Sequence, residues 1–119
     1  MFKKILVSIL LSLLLLGCER DLDINIRYDQ IKGLKKGDRV FFEKNDIGVV
    51  DDVTYREKGD YIAAVTIKKE FTKSATEHSR FFIITDPQNQ GNKALEMGHA
   101  QKGGTPLENG TTVEGSTKS

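Results

Sequence analysis

The sequence predicts a small all-β domain closed into a barrel, behind a short hydrophobic leader. Three observations lead there. Apolar and polar residues alternate in short runs, turn residues separate those runs every 8–15 residues or so, and no stretch after Cys18 keeps a helical period over a dozen residues. Short strands with frequent turns fit an antiparallel sandwich or barrel, and closure is favoured because it removes exposed strand edges.

The elements follow in order. Leu22, Ile24 and Ile26 alternate with Asp23, Asn25 and Arg27, giving a strand with one apolar face. Gly33-Leu34-Lys35-Lys36-Gly37 reads as a turn with a glycine at each end. Arg39 to Glu43 is a short strand, Glu43 to Asp46 a hairpin connection, and Ile47 to Tyr55 a longer strand. After the Glu57–Asp60 turn, Tyr61, Ala63, Val65 and Ile67 share one face of the clearest strand in the chain. Glu70 to Ser79 is polar, with one helical turn around Phe71. Phe81, Phe82, Ile83 and Ile84 form a continuous apolar run, expected to be buried on both sides. A polar loop, Asp86 to Asn92, leads to a weak strand at Ala94–Met97, and Thr111–Val113 is the last one. The domain is expected over 22–115, with 116–119 a disordered tail.

The first residues have a different character. Met1-Phe2-Lys3-Lys4 is positively charged, and Ile5 to Leu16 is apolar apart from Ser8 and Ser12. That run is shorter than the ~20 residues a spanning helix needs, and its charge and abrupt end fit a secretory signal peptide over 1–17. It ends in Leu15-Leu16-Gly17-Cys18, which resembles the bacterial lipobox. The small residue before the cysteine lets the peptidase approach, and the thiol receives diacylglycerol. Cys18 is thus expected to become an acylated N-terminus, with 18–21 a short linker. Because Cys18 is the only cysteine, the exported domain has no disulfide and must hold itself together by its core and its neighbours.

Composition and motifs narrow the function. The formal net charge is +1, and Lys3 and Lys4 leave with the leader, so no long-range field draws the domain onto nucleic acid. Gly98 and Gly103 have phosphate-loop spacing, but Gly104 stands where the lysine is needed. His78 and His99 are far apart in sequence and lack ligand-spaced partners. No glycine-flanked nucleophile occurs. Asp51 and Asp52 are expected on opposite faces of a strand, where they cannot share a proton. Asp21 and Asp23 face one way, but a solvated strand start explains them. Lys32, Lys35 and Lys36 make a basic turn best read as solvated. No catalytic residue, metal or organic cofactor is implied, and a non-enzymatic role is expected.

One segment is more specific. Ile26 to Val40, with Gly33-Leu34, a two-residue gap and Gly37 before Val40, resembles the opening of an MCE (mammalian cell entry) domain. Ile47-Gly48-Val49-Val50 is similar to the family's next step, and Pro106-Leu107-Glu108-Asn109-Gly110 to Val113 is similar to its ending. The resemblance implies a seven-stranded β-barrel that assembles, typically in sixes, into a ring with a central channel. It also implies a role like that of the substrate-binding ring subunit of Mla-type phospholipid ABC transporters. Permease and ATPase subunits, other MCE-domain subunits, a phospholipid ligand and the membrane are the partners it implies. Asp86, Pro87, Gln88, Asn89, Gln90, Gly91 and Asn92 then stand where family members carry a leucine-rich pore loop, here without a leucine. A structural or scaffolding lipoprotein with a protein partner is the alternative. Either way the chain is expected to be lipid-anchored in the bacterial envelope, facing the periplasm.

Overall fold

The computed structural model describes residues 20–116; the leader, Cys18 and residues 117–119 lie outside the described residues. Seven strands form one sheet: β1 (Leu22–Tyr28), β2 (Arg39–Phe42), β3 (Asn45–Tyr55), β4 (Tyr61–Ile67), β5 (Ser79–Thr85), β6 (Lys93–His99) and β7 (Thr112–Glu114). A single 3₁₀ turn, Lys69–Ser74, joins β4 to β5. The sheet order is β5-β6-β2-β3-β4-β1-β7.

The expected antiparallel sheet is in fact mixed. Each strand runs opposite to the one before it, because every connection stays at one end of the barrel. Sequence neighbours that pair are therefore antiparallel, as in β2–β3, β3–β4 and β5–β6. Two odd-numbered or two even-numbered strands that meet must be parallel, and β1–β7 and β2–β6 are. The sheet's ends, β5 and β7, come together the same way, through a parallel bridge between Phe82 and Ser116.

Alternation sets the interior. Ile24, Ile26, Val40, Ile47, Val50, Val65, Ile67, Phe81 and Leu95 are fully buried and fill the barrel. Leu34, from the glycine-flanked turn, closes one end of this core. The turn itself needs its glycines: φ is +87° at Gly33 and +93° at Gly37. Only Phe81 of the β5 apolar run is fully buried. Phe82, Ile83 and Ile84 are half-buried: Phe82 and Ile84 lie on the outward face, and Ile83 shares the inward face with Phe81 and packs on the margin of the core.

β3 carries the curvature. It pairs with β2 and β4 and slips register twice, at Ile47 against β2 and at Asp51 against β4. Such bulges bend and twist a strand, which a barrel of this size requires. The second bulge corrects the expectation for Asp51 and Asp52: both are exposed instead of alternating across the sheet.

Gly48 fixes how closely β3 and β4 approach. A Cβ there would stand 2.2 Å from the Thr66 carbonyl oxygen, and backbone cannot swing aside. Gly48→Ala is expected to cost about 1–3 kcal/mol, measured as a lower urea midpoint at unchanged slope. An unaltered midpoint would contradict this packing.

Candidate functional site at the far end of the barrel

β1 starts at one end of the barrel. At the other end lie the 33–38 turn, the 56–60 turn and the loop 86–92, which follows β5. Two charged assemblies organise that end.

The first fixes the polar loop. Asp86 is buried, and its Oδ1 accepts the N–H groups of Gln88 at 2.7 Å and Asn89 at 3.1 Å. Arg39, at the head of β2, reaches Asp86 from Nη2 at 3.0 and 3.2 Å and from Nε at 3.3 Å. Its Nη1 donates to Gln88 Oε1 at 2.8 Å, and its guanidinium lies 5.2 Å from the Phe41 ring centre. Burial alone would raise the Asp86 pKa. The Gln88 N–H and the Arg39 guanidinium outweigh it and hold the carboxyl below the usual range. The Asp86 N–H donates to Asn92 O at 2.9 Å and closes the loop. Lys35 Nζ spans from Asp38 Oδ1 (3.3 Å) to Asn92 Oδ1 (3.1 Å), tying the glycine-flanked turn to it. The seven loop residues are thus held at their base, while Pro87, Gln88, Asn89, Gln90 and Gly91 are exposed.

The second assembly locks β1, β7 and the 56–60 turn. Arg27 Nε donates to both Glu114 oxygens at 2.8 Å, and Nη1 donates to Asp29 at 2.8 Å and Asp60 at 3.1 Å. Arg56 makes a bidentate pair with the buried Asp60, at 2.6 and 2.5 Å. Arg56, and then Arg27, hold the Asp60 carboxyl far below its ordinary value; Arg27 does the same, less strongly, for Glu114.

The family-like residues take structural places. Val40, Ile47 and Val50 are core, Leu34 caps it, and Gly33, Gly37 and Gly48 shape backbone. The structure brings His78 and His99 to the same end of the β5–β6 hairpin, although they are distant in sequence. Each ring has its own contact. His99 Nε2 lies 2.6 Å from Ser74 O and meets Phe42 edge-on, and His78 Nε2 lies 2.7 Å from the Gln101 amide nitrogen. Asp21 accepts the Lys69 N–H at 2.9 Å, and the Thr66 hydroxyl bonds to Asp23 at 2.8 Å and to Asp51. Cys18 lies outside the described residues.

Sequence reading missed Arg39, Lys35 and Asp38 as the residues that fix the loop, and Arg27 with Asp60 as a lock. Arg39 and Asp86 are 47 positions apart, and only the parallel β2–β6 pairing puts them together.

No protein-family model matches the sequence, and no curated protein matches it. Among solved structures, the fold is similar to a chain of the Acinetobacter MlaFEDB complex in its ATP-bound Vtrans1 conformation. The TM-score is 0.67 at 16% sequence identity, covering 96% of this chain and 87% of that one. At that identity the likeness is one of fold.

Two outcomes test the far end. Asp60 takes up a proton near 3.8 when unfolded and only at lower pH when folded. The stability it contributes is therefore complete above that value and is lost as pH falls through the folded value. Asp60→Asn should flatten the stability–pH curve below about pH 4 in urea titrations; an unchanged slope would count against the lock. Arg39→Ala should speed amide exchange at Gln88 and Asn89 about tenfold or more without touching β4. Equal protection in both proteins would show that the clamp does not order the loop.

Proposed function

We infer that this chain is a lipid-anchored, non-catalytic module of an envelope lipid-transport assembly, an MCE-type barrel that stacks with other subunits into a ring. The barrel shared with a chain of the MlaFEDB complex along nearly its full length carries the reading. The lipobox-like Leu15-Leu16-Gly17-Cys18 supplies the anchor: cleavage after Gly17, acylation of Cys18, and a periplasm-facing domain held close to the membrane by 18–21. A conduit needs no nucleophile, and nucleotide hydrolysis falls to partner permease and ATPase subunits.

In this reading Asp86–Asn92 lines the channel. Its exposed tip is amide-rich, so an acyl chain gains little there of the roughly 0.8 kcal/mol per methylene that an apolar lining provides. The loop is a hydrophilic collar, held open by Arg39 and Lys35. That same polarity favours a second reading, in which the loop docks a protein and the barrel serves as scaffold.

The full chain, extracted from envelope membranes in mild detergent, should run as a multimer by light scattering, carry co-purifying phospholipid, and show an acylated Cys18 by intact mass. A strict monomer without phospholipid would remove the transport reading. Replacing Gln88, Asn89 and Gln90 together by alanine separates the two: altered envelope permeability supports the collar, whereas lost partner capture at normal permeability supports the scaffold.

A further inference from the structure

The outward face of β5, β6 and β2 is unlike the rest of the barrel surface. Cross-strand register sets Phe41, Glu96 and Phe82 in one row, and Arg39, Ala94 and Ile84 in the next. The foot of the loop overhangs this face, because Arg39 pins Asp86 and Gln88 down upon it. Beneath lies a groove of about 400 Å³, floored by Phe41 and Ile84 and flanked by Pro87. That volume falls within the ~300–1,000 Å³ range of small-ligand sites.

The lining of the groove has an apolar part and a charged part. Phe41, Ile84 and Pro87 offer no side-chain hydrogen-bonding group, and the Gln88 carbonyl oxygen is already taken by Arg39. That part of the lining favours apolar matter. The charged part carries both signs: the Lys44 ammonium and the Glu43 and Glu96 carboxylates. Glu43 and Lys44 sit on the tight β2–β3 hairpin turn with φ of +50° and +69°. A lining with both signs of charge complements a head group that is itself zwitterionic better than it does a simple anion.

We propose that this groove is a binding site for one alkyl chain of a zwitterionic amphiphile, seated on the outer wall of each barrel. The chain lies over Phe41 and Ile84, and the head's anionic and cationic groups meet Lys44 and the Glu43–Glu96 carboxylates. The site deepens the lipid-transport reading by moving the apolar contact from the loop tip, which has no leucine, to the loop's foot.

The test uses the full chain in envelope membranes and a lysophosphatidylcholine probe carrying a diazirine and an alkyne in its acyl chain. After irradiation, peptide mapping should place adducts at Phe41, Ile84 or Pro87, with little at Val49, an exposed apolar residue on β3. Ile84→Glu and, separately, Lys44→Glu should lower labelling at least fivefold; Lys44 lies on an exposed turn, so that variant keeps the fold. A diazirine fatty acid, anionic only, should label at least fivefold less than the zwitterion. Equal labelling at Val49, unchanged labelling in both variants, or equal labelling by the fatty acid would overturn the site. Ring assembly is read separately from mass: a monomer that labels here upholds the groove and removes the ring, and a ring that labels elsewhere does the reverse.

Discussion

The carbonyl oxygen of Phe81 is the point on which the closed barrel depends. It accepts the Tyr28 hydroxyl at 2.8 Å and the Ser116 N–H at 3.0 Å, so the first strand, the fifth strand and the end of the seventh meet at one atom. Burial pushes the Tyr28 phenol well above its ordinary pKa, which keeps it a donor at any physiological pH. The ring lies so close to Gly115 that a Cβ there would come within 2.1 Å of it. Closure by one bridge is economical but local. A short strand of three residues, β7, can end the sheet only because β1 lines it up and the seam then receives it. Arg27, reaching Glu114 from the middle of that arrangement, holds the same strand from its outer side.

Closure also decides where chemistry can be placed. With the interior filled by apolar side chains, the rings of Phe81 and Tyr28 among them, the charged assemblies lie at the barrel's rim and the apolar groove on its outer wall. The strict up-and-down path gathers the 33–38 turn, the 56–60 turn and the loop 86–92 at the end opposite the start of β1. A chain tethered just before β1 would therefore hold its fixed polar loop away from the tether. The two charged assemblies at that end rigidify what would otherwise be two polar loops. The loop's foot, pinned by Arg39, is what roofs the apolar groove on the outer wall.

Much of this was legible from sequence, and the remainder was not for identifiable reasons. Most strands appear as alternating or apolar runs, because one face of each meets the same core; β6 shows only weakly, and β7 offers little beyond Val113. The glycine-flanked turn was legible as well, since positive φ leaves few alternatives. The mixed character of the sheet was not, because strand direction is local whereas neighbourhood depends on which distant edges meet. Ile47 and Asp51 hide their bulges, as an extra residue in a strand leaves no compositional trace. The reading of Phe81–Ile84 as buried on both sides failed because apolar outward residues on a terminal strand look the same as core. Ser116, expected in a loose tail, instead makes the closing bond to Phe81; a small polar residue carries no sign of that. The loop was singled out by its position and polarity, but Arg39 and Lys35, which order it, come from strands and turns far off in the chain.

Amide hydrogen exchange at Ser116 tests the closed barrel most directly. A sealed seam predicts that this amide exchanges as slowly as those of β1 and β7 beside it, and that Gly115→Ala, by forcing Tyr28 aside, releases it while β3 and β4 stay protected. Exchange of Ser116 in the unaltered chain at the rate of a free loop would mean that β5 and β7 stand apart, and the barrel account would fail.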